Sequence, residues 1–194
     1  MLQAVILDID GTLVETGIDW EGIRSKLKNL LNIRHPLKPL APTLPKLIRN
    51  FDQLKVAYEI VSQEENRSVL NVKMDQELKQ LIKSLKDAGI KIGIVTLRGK
   101  DSAELILSKL GIRKYVDALI TRDESLDRRR QLELILETLR ASKDTAMFLG
   151  DTNNDYEAGK SLGIKTIIIQ SNGIQGVPQH LKEVLRDLIN QYCG

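Results

Sequence analysis

Residues 4–15 read AVILDIDGTLVE, and the rest of the chain is interpreted outward from them. The stretch opens with an apolar run, Ala4-Val5-Ile6-Leu7. Two aspartates one residue apart, Asp8 and Asp10, come next, then Gly11 and Thr12. A short apolar run with β-branched residues, ended by a turn signal, is the pattern of a strand buried on both faces, as in a parallel sheet. Alternate side chains share one side of a strand, so Asp8 and Asp10 can both serve a site at its carboxyl end. Open α/β sheets bind their ligands at that edge. Two carboxylates placed there repel each other, and a cation or a shared proton relieves the repulsion. The structural alternative is that each aspartate closes an Asx-turn or caps a helix.

Composition narrows the function classes. At 194 residues, with 42% apolar and 28% charged residues, the chain fits one domain, or one domain with a modest insertion. No apolar run approaches the length of a membrane-spanning helix, so no membrane association is expected. The amino terminus enters a strand at once, without the basic segment and cleavage site of a signal peptide. Cys193 is the single cysteine, which excludes intramolecular disulfides and thiolate metal sites and favours a reducing cytoplasm. His35 and His180 are the only histidines, so histidine-rich metal sites are excluded. A Ser-His-Asp triad finds no G-x-S-x-G elbow to support it. A formal charge of +3 is too small to suggest nucleic acid. A monomer or homodimer is expected.

After Thr12 the periodicity becomes helical. Trp20, Ile23, Leu27, Leu30 and Leu31 form one stripe, with Asp19 placed to cap it, and Trp20 reads as a packed residue. Residues 35–45, HPLKPLAPTLP, carry prolines at a three-residue period, which favours polyproline II. The segment is expected to be a stiff connector between helices, the alternative being a ligand for an SH3-like domain. Leu47, Phe51, Leu54, Tyr58 and Val61 form a second stripe, and 62–68 reads as loop or frayed helix. Residues 16–73 are therefore expected to be a helical insertion, a cap, in a core made of 1–15 and 74–194.

From Asp75 onward helix and strand alternate. Leu78, Leu81, Ile82 and Leu85 make a helical face that stops at Gly89, and 90–95 is a strand running into Thr96. Asp101 and Glu104 suggest a capping box for a helix ending at Gly111. Strands at 118–121, 145–149 and 164–169 are separated by a helix containing 131–139 and a short one closed by Gly163. Leu181, Val184, Leu185 and Leu188 mark the last helix. The expected architecture is α/β: a Rossmann-like three-layer core with a parallel five-stranded sheet, plus a small all-α cap inserted after the first strand.

Chemistry collects at the strand ends. The first offers Asp8 and Asp10; the second offers Thr96 within IVTLR. The third is followed by Arg128-Arg129-Arg130, and the fourth by Asp151 and Asp155 within GDTNND. In order and placement these resemble the four motifs of the haloacid dehalogenase superfamily, whose commonest members are magnesium-dependent phosphatases. The resemblance implies that Asp8 is the nucleophile, forming an aspartyl-phosphate, and Asp10 the general acid and base. It further implies Mg²⁺ held by Asp8, Asp151, Asp155 and the Asp10 carbonyl. The physical argument agrees, since a phosphomonoester dianion needs positive charge beside it before a carboxylate can approach, and Mg²⁺ takes hard oxygen ligands. Thr96, Leu97 and Arg98 are then candidates to hold the phosphoryl oxygens.

One departure stands out. The third motif usually carries a lysine, often followed by proline, and LDRRRQ has neither. Arginine brings the same charge with a different reach, so Arg128 or Arg129 is expected to bind phosphate, and the sequence leaves both open. The insertion resembles the C1 cap of phosphoglycolate phosphatase-like members. Between residues 22 and 51 it holds Arg24, Lys26, Lys28, Arg34, Lys38, Lys46 and Arg49 and no acidic residue. That is a solvated basic face or a field that steers anions inward. The expected substrate is a small phosphorylated metabolite. A sugar-phosphate phosphomutase and a non-catalytic binding protein on the same scaffold are the alternatives.

Overall fold

The computed structural model describes residues 1–192; Cys193, on which the cysteine argument rests, lies outside the described residues. The elements begin with β1 (Ala4–Leu7), α1 (Trp20–Leu31), α2 (Leu40–Leu47), α3 (Phe51–Val69) and α4 (Gln76–Asp87). They continue with β2 (Lys91–Val95), α5 (Lys100–Lys109), β3 (Ala118–Ile120) and α6 (Arg128–Leu139). The chain ends with β4 (Ala146–Gly150), α7 (Asn153–Leu162), β5 (Lys165–Ile168) and α8 (Gln179–Tyr192). No described helix is long and apolar enough to cross a membrane.

The sheet is parallel throughout, in the order β3-β2-β1-β4-β5. β1 lies at its centre, with Leu7 paired to Ile94 on one side and Leu149 on the other. Val5, Leu7, Ile92, Ile94, Met147 and Leu149 face α4, α5 and α8, whereas Ala4, Ile6, Val95 and Phe148 face α6 and α7. Two covered faces explain why β1 is apolar at every position instead of alternating. Its carboxyl end opens into a site surrounded by the ends of β2 and β4.

Asp75 ties the two outer helices of one face together. It caps α4 by accepting from the Leu78 N–H at 2.9 Å, and its second oxygen meets Lys182 of α8 at 2.7 Å. Burial pushes its carboxyl up, but the Leu78 N–H and Lys182 outweigh this and hold it below its ordinary value. A folded value below the unfolded one, about 3.9, gives stabilisation that is present above that pH and lost as pH falls through the folded value. Asp75→Ala is expected to cost about 1–2 kcal/mol at pH 7, measured by urea unfolding. Below pH 3 the difference from wild type should shrink, and an undiminished difference there would refute the ionic part of the argument.

The three helices after β1 share their own cluster, built on Ile23, Leu27, Leu37, Leu40, Leu44, Ala57, Ile60 and Val61. Two expectations for this segment are corrected. Residues 35–45 are not a polyproline connector throughout, because α2 begins at Leu40. Pro42 sits in the first turn, where no N–H would be bonded within the helix. Pro45 removes the bond that its N–H would have made to the Ala41 carbonyl. The Tyr58 hydroxyl of α3 donates to that carbonyl instead, at 2.9 Å, so burial of Leu40, Ala41 and Leu44 wins over proline's preference.

Residues 62–68, expected to be loop or frayed helix, continue α3 to Val69. Two of their polar side chains turn inward: Glu65 and Ser68 are buried and bind arginines of the core, as described below. Leu30, Leu47 and Phe51, counted in the apolar stripes, are exposed. The expected Asp101–Glu104 capping box is also absent. Gly99 is the cap residue of α5 and has no side chain to offer. The Lys100 N–H is satisfied from across the sheet by the Asp123 carboxylate at 3.0 Å, and Glu104 pairs with Arg113.

Candidate active site

β1 passes its last ladder bond to Asp8, whose N–H donates to the Leu149 carbonyl at 2.9 Å. The chain then turns back on itself, with the Leu13 and Val14 N–H groups both donating to the Ile9 carbonyl at 2.9 and 3.0 Å. Gly11 makes the turn possible with φ +75°, and a Cβ there would lie 2.2 Å from Asp151 Oδ2. Glycine is thus required twice over, by conformation and by the close approach of Asp151.

Asp8, Asp151 and Asp155 each present a carboxylate oxygen, and these oxygens lie within 4.8 Å of one another. Asp8 and Asp155 are buried. Burial raises the Asp8 carboxyl well above its ordinary value; Arg128 opposes this, while Asp155, Asp151 and Asp10 add to it. Asp151 is raised to about 7, first by burial and then by Asp155. Asp155 belongs to the capping box of α7: one oxygen accepts from the Thr152 N–H at 3.1 Å and from its hydroxyl. Its other oxygen is buried with no hydrogen bond. Crowded, largely buried carboxylates are the donor set that a hard divalent cation takes.

Between the two candidate arginines the geometry favours Arg128. Asp127 caps α6, so Arg128 opens the helix on the face of Leu132, Ile135 and Leu139, all buried. Its Nη2 meets Asp8 Oδ1 at 2.8 Å and its Nε lies 2.8 Å from Asp155 Oδ1, the latter an ion pair without hydrogen-bond alignment. Gln131 Oε1 accepts from Nη1 at 2.9 Å, while Gln131 Nε2 donates to the Thr96 carbonyl at 2.8 Å. Arg129 is corrected: its side chain is 58% exposed, pairs with Glu133 of its own helix and does not line the site.

Arg98 is placed differently from the expected phosphate ligand. Its side chain is 0% exposed and folds back onto Asp10 in a two-point pair, Nε to Oδ2 at 2.7 Å and Nη2 to Oδ1 at 2.6 Å. Nη2 also reaches the Thr16 hydroxyl, and Nη1 reaches Ser68, Ser102 and the Glu65 carbonyl. With every N–H group directed at the protein, Arg98 holds the second aspartate of the first motif. Thr96 is buried, its hydroxyl accepting from the Arg98 N–H at 3.1 Å. Glu65 went unnoticed in the sequence; it pairs with buried Arg122 and accepts from the Gly99 N–H at 3.3 Å, docking α3 on the core.

Asp8, Asp10, Thr96, Leu97, Arg98, Arg128, Asp151 and Asp155 line one cavity of about 470 Å³, closed on its far side by Trp20, Arg24, Leu40, Ala41 and Val61 of the helical segment. The model for haloacid dehalogenase-like hydrolases matches residues 5–169. The chain belongs to the haloacid dehalogenase-like hydrolase family. The resemblance of its four strand-end motifs is thereby borne out, and the chain is a hydrolase of the phosphatase kind. It is 29% identical over 180 residues to a putative pyrophosphatase PpaX of Clostridium perfringens, spanning 86% of this chain and 83% of that protein. Its fold is shared with a HAD phosphatase from Thermococcus onnurineus, at TM-score 0.65 and 23% identity over 96% of this chain and 98% of that one. It is shared also with a β-phosphoglucomutase from Clostridium difficile, at TM-score 0.74 and 15% identity over 100% and 99% of the two chains.

Proposed function

We propose that the chain is a Mg²⁺-dependent phosphatase of the cytoplasm, hydrolysing a small phosphomonoester through an aspartyl-phosphate on Asp8. The observation that carries this reading is Asp8 at the end of the central strand, inside a carboxylate cluster and beside a second, separately held aspartate. Asp8, Asp151 and Asp155 would hold the metal, with the Asp10 carbonyl as the resemblance implies. When bound, the cation supplies the positive charge that lets an anionic nucleophile meet a phosphoryl dianion.

The chain's own residues supply the rest. The Asp8 carboxylate attacks phosphorus, and the bond to the leaving oxygen breaks. Asp10 gives that oxygen a proton and afterwards takes one from the water that hydrolyses the acyl phosphate. Arg128 holds Asp8 and Asp155 in register, and Thr96 with Leu97 forms the wall against which the phosphoryl group rests. The helical segment acts as a cap that limits water around the reacting group. Pyrophosphate, named in relatives, belongs in the substrate panel beside phosphomonoesters.

The test is release of inorganic phosphate from an aryl phosphate with Mg²⁺ and with EDTA. Release with Mg²⁺ and none with EDTA is expected; in a parallel panel of sugar phosphates, isomer formation without release would indicate a mutase. Asp151→Ala is expected to raise the Mg²⁺ concentration for half-maximal rate by at least about 10-fold. An unchanged Mg²⁺ dependence would remove Asp151 from the metal site.

A further inference from the structure

Helix α2 has a second side that the proposed reaction does not use. Leu40 and Ala41 line the catalytic cavity, whereas Pro42, Pro45 and Lys46 line a neighbouring groove of about 660 Å³. The facing wall of the groove belongs to the core: Leu126, Asp127 and Arg129 around the start of α6, and Asn154, Glu157 and Ala158 on α7. Pro39, Leu97, Arg128 and Asn154 line both spaces. The groove therefore adjoins the cavity beside the proposed position of the phosphoryl group. Ligand pockets of about 300–1,000 Å³ hold molecules of drug size, so the groove has room for a leaving group of several rings.

The chemistry of the groove is not that of an anion site. Arg128 is held by Asp8 and Asp155, and Arg129 by Glu133. Of the charges that remain, Lys46 is outnumbered by Asp127 and Glu157, so an anion gains nothing there. The apolar part is the larger one, with Pro39, Pro42 and Pro45 on one wall and Leu126 and Ala158 on the other. Proline rings carry no N–H donor, and Pro42 and Leu126 are half-buried. Asn154 and Glu157 add an amide and a carboxylate, which can meet the N–H and C=O groups of a ligand. A molecule with apolar faces and a hydrogen-bonding edge matches such walls. A polyol, with hydroxyls on every side, would lose hydration against them without finding partners.

We propose that the groove takes an uncharged, planar heterocycle carried by the leaving group, so that the substrate is a nucleoside monophosphate or an ester of that build. The inference rests on the phosphatase reading for the position of the phosphoryl group. Water would then split the ester into a nucleoside and orthophosphate. The phosphoryl group lies against Asp8, the sugar passes beside Pro39 and Leu97, and the ring rests beside Pro42 and Leu126. Taking the face of such a ring out of water is worth about 10-fold or more in affinity.

Binding of hydrolysis-resistant 5′-methylenephosphonates tests this without turnover. Titration calorimetry with Mg²⁺ present would compare the ribose compound with its adenosine and cytidine counterparts, which add a ring and no charge. Wild type should bind at least one nucleoside probe about 10-fold or more tighter than the ribose probe. Amide NMR shifts at Leu126 and Glu157 should accompany that probe and be absent with ribose. The double variant Pro42→Ser and Leu126→Asn makes both walls polar. It should reduce the preference to within about three-fold and leave the ribose probe within about two-fold. If that variant fails to fold, the wild-type shifts decide. No preference in wild type, a preference that survives the double variant, or shifts that spare Leu126 and Glu157 would overturn the inference. Nucleoside probes seated in the groove of a protein that releases no phosphate from the matching nucleotides would leave the subsite standing and defeat the phosphatase reading. Phosphate release from small esters without any preference for nucleosides would do the reverse.

Discussion

Asp8→Asn is expected to lower phosphate release by at least about 10⁴-fold, the scale on which loss of a catalytic nucleophile is felt. The amide has the shape of the carboxylate, cannot form the acyl phosphate, and removes one charged ligand from the metal site at the same time. The fold should survive. Arg128 keeps Asp155 and Gln131 as partners, and one of three crowded carboxylates is neutralised. The measurement is steady-state phosphate release with EDTA controls, together with a thermal melt. Activity within 10-fold of wild type would exclude Asp8 as nucleophile.

Arg98 carries the second large effect, on stability and on catalysis. Arg98→Ala would leave Asp10 without its cation and take a donor away from the hydroxyls of Thr16, Ser68 and Ser102 around a cavity. Breaking a buried ion pair from one side costs about 3–5 kcal/mol, to be read from urea unfolding. Arg98→Lys keeps the charge and loses the two-point grip on Asp10. As a positioning residue acting through Asp10, Arg98 should matter most where the leaving oxygen most needs a proton. Arg98→Lys is therefore expected to lower kcat for an alkyl phosphate by about 100-fold, within the range of general acid catalysis. The loss for a nitrophenyl phosphate, whose leaving group departs without help, should be several-fold smaller. Equal losses on both substrates would show that Arg98 supports only the fold.

Much of this site could be read from the sequence because its residues sit at the ends of buried strands. An apolar run that stops at an aspartate, as at Asp8 or Asp151, marks both the strand and the edge at which it opens. The sequence leaves Arg128 and Arg129 both open, although one signal bears on the choice once the fold is known. Leu132, Ile135 and Leu139 lie four, seven and eleven residues beyond Arg128, on one helical face, and Arg129 lies on the next. What could not be read depended on partners far away in the chain. Arg98 beside Thr96 suggests a phosphate ligand until the fold brings Asp10, 88 residues away, within reach. Glu65 in a polar stretch suggests solvent until Arg122, 57 residues later, closes over it. The helix over 40–47 was hidden by its prolines, because the carbonyl that Pro45 leaves without a partner is satisfied by a tyrosine of another helix.

The central place of β1 has a consequence for biosynthesis. Of the described elements β1 is made before the others, yet the strands that flank it, β2 and β4, begin at residues 91 and 146. A nascent chain therefore carries its most apolar strand with one edge bare until β2 has emerged and the other until β4 has, a span over which unpaired edges invite association with other chains. The helices over 20–69 are made in that interval and form their own cluster early from local contacts, since local contacts form faster than distant ones. In a growing polypeptide, the segment that later closes the cavity is thus also the first to shelter apolar surface.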